Sequence, residues 1–189
     1  MKTALLDRDG VINKDRSDYV KSWEEFEFIP GSIAAISLLK KKGYQTILVT
    51  NQSAVKRGII SKDQLEVIHK NMLEAIASEG GKIDAIYYCP HTPDEECSCR
   101  KPEPGLILQA QNDLGFDPAL SVMIGDDARD IMAGKAAGCG KLILVKTGKG
   151  KDVCLALAEK KINIDYFAED LLDGVRWLVS ESHELLLPK

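Results

Sequence analysis

The chain has 189 residues, 29 acidic against 25 basic side chains and a net charge of −4, which suits one domain with a real core, residues 1–189, and speaks against a second. The acid excess disfavours general nucleic-acid binding, which needs a basic surface, but leaves a small phosphorylated metabolite open as a partner. No apolar run approaches the ~20 residues of a membrane span, and the first one stops at Asp7, too early for a signal peptide, so the expectation is a cytoplasmic monomer with no nucleic-acid or membrane partner.

In chain order, the first strand is predicted at Ala4–Leu6, a short apolar run broken by Asp7. Residues 14–30 read as an irregular insertion, a hairpin or flap, in which Trp23 and Phe26 serve packing. A helix over Ser32–Lys42 carries Ile33, Ile36, Leu38 and Leu39 and ends in Lys-Lys-Lys-Gly, a C-terminal signal. A second strand covers Thr46–Val49. The helix Ser61–Ala77 starts on Ser61 as N-cap and buries Leu65, Ile68, Met72, Leu73 and Ile76, with His69 expected to be exposed. The strand Ala85–Tyr88 leads into a loop, residues 89–103, rich in proline, cysteine and acid. Next come the helix Pro104–Leu114, the strand Val122–Ile124, the helix Ala128–Ala137 and the strand Leu142–Val145. The last helix is placed at Glu169–Ser180, and the tail from Ser182 reads as surface. Strands alternating with helices predict an α/β fold, a central mostly parallel sheet covered on both faces in a three-layer sandwich.

The polar residues gather behind the strands. Asp7 and Asp9 follow the first, Thr50 and Asn51 the second, and Gly125, Asp126 and Asp127 the fourth. Ligands of open α/β sheets bind at that edge, and Arg100 and Lys101 lie close enough in sequence to a helix start to join them. Asp7 and Asp126 repel unless a cation lies between them. Mg²⁺ suits them, since it takes octahedral oxygen ligands and often uses only one or two carboxylates. The stretch CPHTPDEECSC offers Cys89, His91, Cys97 and Cys99, the ligand set of a closed tetrahedral Zn²⁺ site. A closed site holds a loop and does no hydrolysis, and it would fix where Arg100 and Lys101 point. A disulfide or redox pair is the rival reading. Cys139 and Cys154 read as incidental small thiols.

Four segments in order, DRDGVIN, VTNQS, CRKPEPG and IGDDARDIMAG, resemble the motifs of the haloacid dehalogenase superfamily of phosphatases, in its histidinol-phosphate and heptose-bisphosphate branch. The resemblance runs from Asp7 to Thr147. It implies a Rossmann-like fold with short loop insertions in place of a cap domain and a zinc-binding loop. It implies an aspartyl-phosphate on Asp7, with Asp9 as general acid and then base. Thr50 and Asn51 match phosphate-orienting donors, and Lys101 the lysine that stabilises nucleophile and phosphoryl group. Asp7, the Asp9 carbonyl and Asp126 match the Mg²⁺ ligands. Arg100 matches a substrate-contacting arginine, and Gln52 and Arg57 lie near enough to join it. Asp127 reads as a helix N-terminal acid, and Asp130 as that or as outer support for the Mg²⁺ site.

The activity implied is loss of the 7-phosphate from D-glycero-D-manno-heptose 1,7-bisphosphate, in nucleotide-activated heptose and lipopolysaccharide synthesis. Histidinol phosphate or another small sugar phosphate is the alternative substrate. A different class, the receiver module of signalling proteins, also joins acids, a threonine, a lysine and Mg²⁺. A receiver, however, places its phosphorylated aspartate mid-chain and has no zinc loop. A catalytically dead binding protein is opposed by the intact Asp7, Asp9, Lys101 and Asp126.

Overall fold

The computed structural model describes residues 2–159 and 161–184. Among the described residues six strands form the sheet: β1 (Thr3–Leu6), β2 (Gln45–Asn51), β3 (Ala85–Cys89), β4 (Ser121–Gly125), β5 (Lys141–Val145) and β6 (Tyr166–Ala168). Their order is β3-β2-β1-β4-β5-β6, and every pairing is parallel. The helices are α1 (Ser32–Lys41), α2 (Lys62–Ser78), α3 (Gly105–Leu114), α4 (Ala128–Ala136), α5 (Gly150–Glu159) and α6 (Leu171–Glu184). Among the described residues, no helix is long and apolar enough to cross a membrane.

The strands are apolar on both faces because both faces are covered. Side chains alternate across a strand. Ala4, Leu6, Leu48, Val122, Ile124, Ile143 and Val145 meet α1, α2 and α6 on one side. Leu5, Ile47, Val49, Met123, Leu142 and Leu144 meet α3, α4 and α5 on the other. Full burial of each Leu, Ile, Val or Met among them contributes about 1.5–3 kcal/mol.

β1 is central. Leu6 registers with Leu48 of β2 and with Ile124 of β4. The crossovers from β1 run outward to β2 and β3, whereas β4, β5 and β6 continue the other way. The strand order thus reverses between β1 and β4, and the crevice beyond their carboxyl ends is where a ligand fits.

Residues 14–30 return antiparallel to the chain before them. Asn13 bridges Phe28, and the Lys14 amide donates to the Glu27 carbonyl at 2.8 Å. Trp23 stacks on Phe26, and Phe28 meets both rings edge-on, with ring centroids 5.0–6.2 Å apart, which is a packing role.

The sequence reading needs correction at three places. His69 is 7% exposed. It lies four residues beyond Leu65 and three before Met72, on the buried face of α2. The helix α5 and the strand β6 had no predicted counterpart: β6 has three residues, and α5 opens on a glycine inside Lys-Gly-Lys. The last helix continues to Glu184, through the start of the expected tail, whose remaining residues lie outside the described ones.

Candidate active site

β1 ends at Leu6 and delivers Asp7, whose amide donates to the Ile124 carbonyl at 3.1 Å. β4 ends at Gly125 and delivers Asp126. The two acids therefore face each other across the switch point. Carboxylate oxygens of Asp7, Asp126 and Asp130 all lie within 4.8 Å of one another.

Lys101 reaches into this group. It is 2% exposed. Its Nζ lies 2.6 Å from Asp130 Oδ1 and 2.8 Å from Asp7 Oδ1, and donates to the Val49 carbonyl at 2.7 Å. Burial alone would lower its pKa, but Asp130 and Asp7 outweigh burial and raise it, so Lys101 stays charged. Its backbone is held separately. Asn51 accepts the Lys101 amide and donates to the Lys101 carbonyl, both at 3.1 Å.

Asp126 is pushed up to about 8, first by burial and then by Asp130 and Asp7, against the Lys149 amide that donates to its Oδ2 at 2.8 Å. Two glycines make that close packing possible. A Cβ on Gly10 or Gly148 would come within 2.3 or 2.0 Å of Asp126 Oδ2, and both residues have positive φ. Asp130 is pushed up to about 6 by burial, with Lys101 opposing. Its Oδ2 accepts the Asp127 amide at 3.0 Å, so protein groups engage both of its oxygens. Asp127 is the N-cap of α4 and pairs with Arg129.

These residues fit a magnesium ion. Asp7 Oδ1 is buried and meets the Lys101 ammonium as an ion pair. One Asp126 oxygen accepts the Lys149 amide, and the other is available to a cation. Asp130, engaged on both oxygens, supports Lys101. The donors are hard oxygens, as Mg²⁺ requires.

Asp9 stands apart from that cluster. Its Oδ1 accepts from Arg8 Nη2 at 3.0 Å and Asn13 Nδ2 at 2.9 Å. Its Oδ2 accepts from Arg8 Nη2 at 3.0 Å and Gln52 Nε2 at 2.8 Å. Burial opposes the charge on Asp9, but Arg8, Asn13 and Gln52 together hold its pKa below the usual value. Thr50 is buried and its hydroxyl accepts from Gln52 Nε2 at 2.9 Å.

A cavity of about 480 Å³ opens over these groups. Asp7, Asp9, Asn51, Gln52, Arg100, Lys101 and Asp126 line it, with Asp15, Arg16, Ser17 and Tyr19 from the 14–30 insertion and with Arg129 and Lys149. Arg57 is exposed and outside this lining. Sequence reasoning missed Arg8, Asn13, Gly148 and Lys149. The first two sit inside DRDGVIN, between and just after the acids. The other two follow β5, a strand end like those already singled out.

The sulfurs of Cys89, Cys97 and Cys99 and Nδ1 of His91 form a compact group, all within 4.8 Å of one another and five of the six separations at 3.2–3.6 Å. Four ligands around Zn²⁺ at about 2.3 Å would stand about 3.8 Å apart, so the donors are close to tetrahedral positions. A disulfide needs about 2.05 Å, and all three cysteines are free. Burial and Cys99 push the Cys89 thiol up; thiols packed this closely ionise together only around a cation. Arg100 Nη1 donates to the His91 carbonyl at 2.8 Å, which ties that arginine to the loop.

The HAD-hydrolase-like family model matches residues 98–174. The D-glycero-beta-D-manno-heptose-1,7-bisphosphate 7-phosphatase of Pasteurella multocida is 46% identical over 154 residues, covering 78% of this chain and 83% of the relative. The enzyme of the same name from Neisseria meningitidis serogroup A is 37% identical over 182 residues, covering 96% and 97%. A crystal structure of D,D-heptose 1,7-bisphosphate phosphatase from Bordetella bronchiseptica, complexed with magnesium and phosphate, superposes with a TM-score of 0.89 at 40% identity, over 96% of this chain and 99% of that one. The chain belongs to the haloacid dehalogenase superfamily and, within it, to the family of the D-glycero-beta-D-manno-heptose-1,7-bisphosphate 7-phosphatases.

Proposed function

We propose that the chain is a Mg²⁺-dependent phosphomonoesterase that removes the 7-phosphate of D-glycero-D-manno-heptose 1,7-bisphosphate in the cytoplasm, as a monomeric single-domain enzyme working through an aspartyl-phosphate. One observation carries the reading: Asp7 meets Asp126 at the switch point, with the buried Lys101 ammonium 2.8 Å from Asp7.

Asp7 is the nucleophile. Its oxygen forms a bond to phosphorus as the bond to the sugar oxygen breaks. Lys101 draws charge from the carboxylate and from the phosphoryl oxygens, which lowers the repulsion between two anions. Mg²⁺, held by Asp7, the Asp9 carbonyl and Asp126, would supply further charge neutralisation at the same oxygens.

Asp9 moves the protons. It gives one to the departing sugar oxygen, then takes one from the water whose oxygen displaces Asp7 from phosphorus. The clamp of Arg8, Asn13 and Gln52 favours the carboxylate. It therefore stores Asp9 in the form that the second step needs. Donating the first proton requires that part of the clamp let go.

The cations Arg16, Arg100, Arg129 and Lys149 on the cavity wall favour a substrate with a second anionic group beyond the reacting phosphate. Gln52 acts through Asp9 and Thr50, and Arg57 meets substrate only at the outer edge. Zn²⁺ on Cys89, His91, Cys97 and Cys99 holds the loop that carries Arg100. The receiver alternative has the strand order 2-1-3-4-5, which differs from the order here.

The test is phosphate release from both anomers of the heptose bisphosphate, fructose 1,6-bisphosphate and histidinol phosphate. A heptose bisphosphate should give the highest kcat/KM, by about tenfold or more, as expected for an added ionic contact. Histidinol phosphate matching or exceeding it would refute the substrate assignment.

A further inference from the structure

His69 lies on α2, outside every motif that suggested the activity. It is 7% exposed, and its Nε2 stands 3.3 Å from Nη1 of Arg8, itself 1% exposed. Arg8 has donors only, so Nε2 must offer the lone pair, and the imidazole is neutral with its proton on Nδ1. Burial, with Arg8 beside it, lowers His69 to about 3, in line with that form. The ring is steadied by an edge contact with Tyr88, centroids 6.1 Å apart.

The other nitrogens of Arg8, Nε and Nη2, go to Asp9. A guanidinium is a rigid plane. Fixing Nη1 at one corner fixes the edge offered to Asp9. Through this plane His69 is linked to the reacting groups.

We propose that His69 is a positioning residue for hydrolysis of the aspartyl-phosphate, setting the Arg8 guanidinium so that Asp9 is held where it accepts the proton of the attacking water. This rests on Asp9 being that base. In the step, the water oxygen bonds to phosphorus, the bond from phosphorus to Asp7 breaks, and the water proton passes to Asp9. A general base contributes roughly 10²–10⁴-fold. Loosening it without removing it should cost about tenfold in kcat.

The experiment uses p-nitrophenyl phosphate, whose leaving group departs without a proton, so only the second step needs Asp9. His69→Asn cannot extend an acceptor to Nη1. His69→Phe keeps the ring volume but has no acceptor. His69→Gln can bring Oε1 to the place of Nε2. For Asn and Phe, kcat and KM should fall together, about tenfold, with kcat/KM unchanged. A burst of nitrophenolate approaching one per enzyme should appear, with phosphoenzyme trapped on acid quench. His69→Gln should behave as wild type. The proposal is overturned if kcat/KM falls in step with kcat and no burst appears, if Gln is as impaired as Asn, or if the acceptor-free variants turn over normally. Two acceptor-free variants of different shape guard against a folding failure in one. Asp9→Asn should show the same burst with a deeper loss of kcat. Its failure to do so removes Asp9 as base and the proposal with it, whereas a burst in Asp9→Asn but not in the His69 variants overturns the proposal alone.

Discussion

Lys101 joins the two halves of the site. Burying an ammonium costs several kcal/mol unless it is paired, and here Asp130 lies at 2.6 Å and Asp7 at 2.8 Å. Asp130 has the shorter contact and both of its oxygens in use, so it anchors the lysine and leaves Asp7 free for the nucleophilic role proposed for it. Asp130→Asn keeps an acceptor for the Asp127 amide but removes that anchor. Lys101 then turns wholly to Asp7 and quenches the nucleophile. Supporting residues of this kind typically cost 10–100-fold when removed, so kcat should fall about ten- to hundredfold with KM little changed and cooperative unfolding retained. A folded Asp130→Asn enzyme with wild-type kcat would show that Lys101 needs no second counter-charge.

The loop of residues 89–103 gathers its cysteines and His91 at one point, but its two basic residues are not tied to it equally. Arg100 is tied to the His91 carbonyl. Lys101 is gripped by Asn51 and Val49 at the end of β2. The sequence reading assigned both to the zinc loop, because adjacency in sequence hides the clamp from a strand fifty residues away. Cys97→Ser should therefore release zinc, speed amide exchange over 89–103 and misplace Arg100 while Lys101 stays. The kcat/KM for the sugar bisphosphate should drop about tenfold, the worth of one charge-assisted hydrogen bond, and that for p-nitrophenyl phosphate should hold. Equal losses on both substrates would mean that Lys101 has moved as well. The same contrast runs through the rest of the chain. Central strands such as Val122–Ile124 were legible because burial on both faces leaves a continuous apolar run. That Asp7 meets Asp126, and that Cys89, His91, Cys97 and Cys99 cluster, was legible because strand ends and ligand spacing are local. The three-residue β6, the helix α5 behind Lys149, and the partners Arg8 and His69 were not, since each is defined by what packs against it from elsewhere. His69 in particular looked polar enough for solvent; the lone pair it gives to a buried arginine is a tertiary fact.

At the scale of the whole molecule, the fold concentrates unfavourable charge at one edge, and pH should reveal it. A parallel sheet whose order reverses beside β1 brings Asp7, Asp126 and Asp130 together. Without a cation, Asp126 is raised from 3.8 to about 8 and Asp130 to about 6. For a carboxyl raised on folding, the folded state binds the extra proton, so stability is lost as pH rises between the unfolded and folded values. His69 has the opposite sign: lowered from 6.5 to about 3, it costs stability as pH falls through 6.5, and its opposing slope fades within about one unit above that value. Cys97, lowered to about 7, would oppose the carboxylates, so the protein must be kept zinc-loaded to stop the thiols titrating. Between pH 6.5 and 8, Asp126 is then left as the dominant site group. One full proton of difference is worth about 1.4 kcal/mol per pH unit; Asp126 goes from nearly protonated to half ionised across this window, leaving about 1 kcal/mol per unit, which for a chain of this size is about 2–4 °C in Tm. Zinc-loaded, Mg²⁺-free protein should therefore lose about 2–4 °C per unit across that window. Saturating Mg²⁺ holds Asp126 ionised and should flatten the decline, so that the Tm gained from Mg²⁺ grows with pH. Asp126→Asn should flatten it without Mg²⁺ and should gain little from the ion. A Mg²⁺-induced Tm shift that stays constant from pH 6.5 to 8 would mean that the strained proton sits elsewhere than on Asp126.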